Sequence, residues 1–288
     1  MNPCTTDHWP LGVFTSIDAG LGVSFDVLAQ LQLTTIHLHA PAAAKRSPEA
    51  AAELSERLKR LGIEVSCVFA GFEGESYADI PTVERTVGLV PTETRDKRVA
   101  ELKEIADFAA KLEVKAVGLH LGFVPHDPKS EAYQQIVQTV RDVCDYCTQN
   151  GQAIHLETGQ EPADVLEGFL ETVGRENLFV NFDPANMILY GCGEPLPSLE
   201  RIGRFVRSVH CKDAKWSDQP GETWGTEVAL GEGDVDFTQF LRILEALRYK
   251  GPLTIEREIP QDPARQLEEI GSGVNLLRRT MEALRFST

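Results

Sequence analysis

Residues 153–183 read AIHLETGQEPADVLEGFLETVGRENLFVNFD. The stretch opens on a short apolar run that ends in a carboxylate (Ala153–Glu157) and passes through a helical pattern over 162–173. It closes on a second apolar run that again ends in a carboxylate (Leu178–Asp183). Near-continuous apolar strands joined by an amphipathic helix form a βαβ unit with parallel strands, covered by helices on the sheet face. The same unit repeats in both directions. Strands are expected at Leu11–Ile17, Thr34–His39, Glu64–Ala70, Ala116–Leu121, Val206–Cys211 and Leu253–Glu256 as well, eight in all. Helical patterns fill 24–31, 48–61, 93–111, 130–149, 196–204, 237–248 and 263–284. Eight such units in 288 residues predict an α/β fold, a single (β/α)8 TIM barrel forming one domain over 1–288. A doubly wound open sheet is the rival, but no G-x-G-x-x-G follows the first strand.

Punctuation agrees with these boundaries. Ser47-Pro48-Glu49 reads as an N-cap, a proline at the first helical position and an acid in the first turn. Gly62 and Gly151 each stand where a helix ends before a strand. Two long connections, Gly71–Pro91 and Lys212–Asp236, follow the third and seventh strands, at the end where a barrel builds its active site. Trp216, Trp224, Phe72 and Tyr77 in them suit a lid, a sugar-stacking wall or a subunit contact. Gln160 and Glu161 are weaker site candidates, with opening the helix at 162 as the bland alternative.

The formal net charge is −16, which disfavours a nucleic-acid partner, because phosphate neutralisation needs a basic face. The first ten residues, MNPCTTDHWP, lack the basic and apolar regions of a signal peptide, and no apolar run approaches the roughly 20 residues of a membrane span. A cytoplasmic protein with unpaired thiols is therefore expected among its six cysteines. Cys144 and Cys147 form a C-x-x-C, but they fall in a helical pattern with Ile136, Val140 and Val143 that points them into the core.

Groups able to bind metals or move protons recur at the predicted strand ends: His37 and His39, His120, Glu157, Asp183, His210 and Glu256. A barrel interior is ordinarily Val, Ile and Leu, so ionisable groups at four consecutive strand ends, five to eight, converge on one point above the barrel. Three carboxylates and one imidazole are too costly to bury together unpaired. A divalent cation resolves the cost. Oxygen-rich ligation with one nitrogen suits Mn²⁺, Mg²⁺ or Co²⁺ better than a structural zinc. A structural polar network is the bland alternative.

Five local motifs now add up. His155-Leu-Glu-Thr-Gly-Gln-Glu161, Phe182-Asp-Pro-Ala-Asn186, Val209-His-Cys-Lys-Asp-Ala-Lys215, Leu230-Gly-Glu-Gly233 and Ile255-Glu256 resemble the xylose-isomerase-like barrels, in particular the sugar phosphate isomerase/epimerase branch of the superfamily that also contains endonuclease IV. The family pattern implies metal ligation by Glu157, Asp183, His210 and Glu256. The trinuclear zinc site of the endonuclease branch is broken here, since Asn186 stands where that branch has His and Gly225-Thr-Glu227 where it has Asp-x-His. Asn186 also departs from the ketose 3-epimerases, which often carry His there, so its substrate contacts are expected to differ.

The resemblance implies an isomerase or epimerase acting on a small carbohydrate by proton removal α to a carbonyl, through an enediolate, with Glu157 and Glu256 as the catalytic acid and base. His120, Asn186, Lys212 and Arg257 are the expected substrate contacts. A dehydratase of the inosose or dehydroshikimate type on the same barrel, and a non-catalytic sugar-binding barrel, are the alternatives; homo-oligomerisation is left open.

Overall fold

The computed structural model describes residues 9–17 and 20–285. Eight parallel strands close into a barrel: β1 (Leu11–Thr15), β2 (Thr35–His39), β3 (Glu64–Ala70), β4 (Ala116–Leu119), β5 (Ala153–Glu157), β6 (Leu178–Phe182), β7 (Val206–Cys211) and, after a small hairpin of β8 (Asp213–Lys215) and β9 (Thr226–Val228), β10 (Leu253–Ile255). The ring runs β1-β10-β7-β6-β5-β4-β3-β2, so each barrel strand pairs with its neighbour in sequence and the last closes on the first. The predicted barrel is the observed one.

The helices alternate with the strands: α1 (Phe25–Leu31), α2 (Pro48–Leu61), α3 (Ile80–Thr86), α4 (Thr92–Lys111), α5 (Glu131–Gln149), α6 (Ala163–Val173), α7 (Pro184–Tyr190), α8 (Pro195–Ile202), α9 (Phe237–Ala246) and α10 (Pro263–Arg285). Ser47 does cap α2, accepting from the Ala50 N–H at 3.2 Å, and Gly62 ends that helix at φ +65°. The expected 196–204 helix is α8 followed by a 3-10 turn at Gly203–Phe205. Cys144 and Cys147 are buried on α5 as free thiols, each pushed up to about 12 first by burial. Among the described cysteines there is no disulfide; Cys4 lies outside the described residues.

The apolar core lies between barrel and helices. Ile36, Leu38, Val68, Val117, Ile154, Leu156, Val180 and Val209 face outward against Leu28, Ile105, Phe108, Ile136, Phe169 and Leu244. The lumen is different from the aliphatic interior expected. Phe14, Cys67, Phe69 and Ala116 form a separate small cluster there. Polar side chains fill the other side. His37 on β2 meets His210 on β7 at 2.9 Å, and His155 on β5 meets Ser208 on β7 at 2.8 Å. Neither pair of strands is adjacent in the ring, so both contacts cross the interior. Strand alternation sends the branched aliphatics to the helices and leaves the lumen to rings and hydrogen-bonding groups. Among the described residues no helix is long and apolar enough to cross a membrane.

Candidate metal centre

Each member of the expected quartet is placed by the end of a different strand. Glu157 is the last residue of β5, His210 lies on β7 and Glu256 directly follows β10. Asp183 follows β6 and is the N-cap of α7: its Oδ1 accepts from the Asn186 N–H at 3.0 Å, with Pro184 at the first helical position. Asp183-Pro-Ala-Asn186 is thus a capping sequence that fixes the carboxylate. With Oδ1 occupied, Oδ2 points into the centre, fully buried and without a hydrogen-bond partner.

One ligand atom from each of Glu157, Asp183, His210 and Glu256 lies within 4.8 Å of the others. His210 Nδ1 is their hub, 2.5 Å from Glu157 Oε1, 3.1 Å from Glu256 Oε2 and 3.6 Å from Asp183 Oδ2. Glu157 and Glu256 stand on strands separated by β6 and β7 in the ring, and they reach this point from different sides.

The electrostatics are those of charge crowded out of water. Burial alone raises Glu157 and Glu256, but the imidazoles of His120 and His210 pull Glu157 below its ordinary range, and Lys212 with His210 pulls Glu256 down to about 2. Asp183 goes the other way, pushed up to about 6 by burial against the opposing pull of His210. Burial opposes charge on His210 as well, yet Glu157 and Glu256 outweigh it and raise the ring well above its usual value. Three carboxylates at this separation cannot all ionise cheaply without a positive charge among them. The donor set of three carboxylates and one imidazole, with an orphaned, buried Oδ2 aimed inward, fits a divalent cation.

A cavity of about 750 Å³ opens over the centre, lined by Glu157, Glu256, His39, His120, Asn186, Lys212, Tyr77, Trp224 and Arg257 among others. All four expected substrate contacts therefore face one space. His120 Nε2 lies 3.0 Å from Glu157 Oε2. The Lys212 ammonium is buried between Glu256 Oε2 at 3.3 Å and Glu227 Oε2 at 3.6 Å. Arg257, which strand alternation alone turns outward, curls in and pairs with Glu227 at 2.7 Å and Glu269 at 2.9 Å. Of the loop aromatics, Tyr77 and Trp224 line the cavity, Phe72 is buried in the core and Trp216 packs against it.

Three features escaped the sequence reading. Glu227 on β9 holds Lys212 and Arg257 together, and its Oε1 also accepts from the Glu258 N–H at 2.9 Å. Asp213 opens hairpin strand β8 and is buried, and its carboxylate accepts four backbone N–H groups, from Ala214, Gly231, Gly233 and Val235. A Cβ on Gly233 would sit 2.1 Å from Asp213 Oδ1, which is why the sequence there is Leu230-Gly-Glu-Gly233. That spacing after His210-Cys-Lys-Asp213 was the available signal. Glu161 does not open the helix, which starts at Ala163 behind Pro162; its Oε1 instead accepts from the Val124 N–H at 2.7 Å.

A parallel barrel whose strand ends gather three carboxylates and an imidazole under one cavity is a closed α/β barrel with a candidate metal centre at its carboxyl end. The chain belongs to the xylose isomerase-like TIM barrel family, whose model matches residues 25–280. It is 51% identical to a xylose isomerase domain protein from Planctomyces limnophilus of known structure, with a TM-score of 0.93 over 96% of this chain and 98% of that one. A D-tagatose 3-epimerase-like protein shares the fold at 18% identity and a TM-score of 0.68, over 94% of this chain and 98% of the other. An inosose dehydratase from Clostridium beijerinckii is 26% identical over 121 residues, which cover 38% of this chain and 40% of that enzyme's length.

Proposed function

We propose that this chain is a divalent-metal-dependent isomerase or epimerase of an uncharged ketose, acting by removal of the proton α to a carbonyl through an enediolate. Glu157, Asp183, His210 and Glu256 would hold the ion, with Mn²⁺, Mg²⁺ or Co²⁺ as the metals that suit this donor set. The observation that carries the reading is the pairing of the two glutamates. Glu157 and Glu256 approach one centre from different sides, and each has its own nitrogen partner, His120 Nε2 at 3.0 Å and Lys212 Nζ at 3.3 Å.

When bound, the ion supplies a Lewis acid for a carbonyl and its neighbouring hydroxyl. The chain supplies the proton traffic. One glutamate takes the α-proton, and the other returns a proton to the opposite face or to the adjacent carbon. His120 and Lys212 keep the two carboxylates aligned and ionised until they act. Asn186 offers an amide to a substrate hydroxyl but moves no proton. Tyr77 and Trp224 form an apolar wall for the sugar's C–H face.

Charge at the mouth supports an uncharged substrate over a phosphorylated one. Lys212 is engaged by Glu256 and Glu227, and Arg257 by Glu227 and Glu269. Glu75 and Glu258 add further acids to the cavity wall.

Dehydration is the second reading, favoured by the partial match to inosose dehydratase. Both reactions begin with the same proton removal; the lyase then expels a β-hydroxyl as water. A screen of ketoses and keto-inositols in D₂O with each metal separates them. Deuterium in a product isomeric with the substrate supports the isomerase or epimerase, and a product lighter by one water supports the dehydratase. Absence of exchange on every ketose tested, in a protein shown to be metal-loaded, overturns both.

A further inference from the structure

We propose that His37 sets the ligating face of His210, by accepting a hydrogen bond from its Nε2–H and so reserving the Nδ1 lone pair for the cation. The inference rests on the metal-centre reading above, and it makes His37 a positioning residue, because its ring lies behind His210 and outside the quartet. An imidazole has one ring nitrogen to give when neutral, and its partner nitrogen then carries the proton. Nδ1 of His210 faces the three carboxylates, while Nε2 lies 2.9 Å from His37 Nδ1. Nε2 has no other hydrogen-bond partner among the described residues. On this reading His37 accepts at Nδ1 and carries its own proton on Nε2, a buried atom with no hydrogen-bond partner among the described residues.

The lumen holds His37 in place for this. Its ring stacks on Phe69 at 5.3 Å between centroids and 27° between planes, and Phe69 also packs on His210 at 5.0 Å. Phe69 fits only because residue 118 is glycine, where a Cβ would come within 2.5 Å of the Phe69 ring. Gly118, Phe69, His37 and His210 thus form one packed series from β4 to β7 across the barrel. Metal-bound histidines are commonly oriented by a carboxylate or a backbone carbonyl. A neutral imidazole does the same work here without adding a fourth negative charge to a centre that already has three.

The test is Mn²⁺ binding to the full chain, stripped by chelation and titrated calorimetrically, for the wild type, His37→Leu and His37→Asn. His37→Leu keeps the bulk and removes the acceptor, and it should weaken Mn²⁺ binding about 10- to 100-fold, the usual cost of losing such a partner. His37→Asn, whose Oδ1 falls near the position of the imidazole Nδ1, should recover most of that loss. Equal losses in the two variants, or an unchanged His37→Leu, overturn the inference. Nitrogen-15 spectra of the Mg²⁺-loaded wild type give a readout that needs no variant: the expected proton positions are Nε2 on both rings, and a proton on Nδ1 of His210 overturns it. A wild type that binds no Mn²⁺ removes the proposed function and this inference with it. Normal wild-type binding with an indifferent His37→Leu removes the inference alone.

Discussion

Asp183 and Asp213 are both buried at the carboxyl end of the barrel, one after β6 and one after β7, and their surroundings are opposites. Asp213 accepts four backbone N–H groups across both oxygens, which oppose the upward push of burial on its carboxyl without cancelling it. Asp183 has one oxygen on a helix cap and the other facing Glu157, Glu256 and His210 with no hydrogen bond at all. A buried carboxylate satisfied by backbone holds a loop in shape. One left half-satisfied among other carboxylates costs free energy that a bound cation or a proton returns. The contrast marks Asp213 as a loop-holding aspartate and Asp183 as the candidate ligand where burial does not distinguish them.

The largest effect should come from breaking the functional side of this contrast. Asp183→Asn keeps an acceptor for the Asn186 N–H and removes the charge from the centre. It should weaken Mn²⁺ binding by about two orders of magnitude or more, roughly the loss of a charged ligand in a site of this kind, and abolish measurable exchange. The metal-free variant should melt no lower than the metal-free wild type, because the amide carries none of the desolvation cost that pushes this carboxyl up to about 6. A variant that melts much lower while still binding Mn²⁺ would make Asp183 the structural residue. Glu256→Gln is the next largest effect. It should cut turnover about 10²–10⁴-fold, the range for a lost general acid or base, while substrate still binds, as seen by quenching of Trp224 fluorescence. Wild-type turnover in Glu256→Gln would take this residue out of the chemistry.

Asp213→Ala tests the other side. Four N–H groups lose a charged acceptor together, and the expected cost is about 3 kcal/mol, at the level of breaking a buried hydrogen-bonded charge. For a chain of this size that lowers Tm by roughly 5–10 °C. Mn²⁺ affinity per folded molecule should change far less than in Asp183→Asn. The reverse pattern, little loss of stability and strong loss of metal, would erase the distinction between the two residues.

The barrel and the quartet were legible because each rests on a repeated signal. Eight apolar runs alternate with helical periods, and carboxylates or an imidazole end four consecutive strands. What escaped was held by contacts remote in sequence or without a period. Helix α7 is seven residues long and buried nearly all round, so it shows no amphipathic stripe. The hairpin of β8 and β9 has three residues per strand, with ten residues between them. Glu227 gains its role from Lys212 and Arg257, fifteen residues before it and thirty after, and only the folded chain brings them together. The polar lumen was hidden for a different reason: alternation within each strand predicts two faces but not which of them turns into the lumen.

Glu161 offers a third solution to the same problem and the smallest of the expected effects. It is buried with one oxygen on the Val124 N–H, and neither backbone nor a cation site answers the rest of its charge. Burial wins over the opposing pulls of Val124 and His120 and pushes the carboxyl up to about 8, so near neutral pH it keeps its proton. In the unfolded chain the group ionises near the ordinary glutamate value of about 4.3. Between these two values the folded state binds the extra proton, and its contribution to stability, full below the unfolded value, is lost as the pH rises through the folded one. The slope can reach at most about 1.4 kcal/mol per pH unit for one proton. Glu161→Gln keeps an oxygen for the Val124 N–H and has no proton to lose. Urea melts of the wild type and the variant between pH 5 and 8 should therefore diverge, with the wild type losing stability more steeply as the pH rises. Parallel profiles would mean that Glu161 ionises inside the fold near its ordinary value, its charge answered there by groups other than the Val124 N–H.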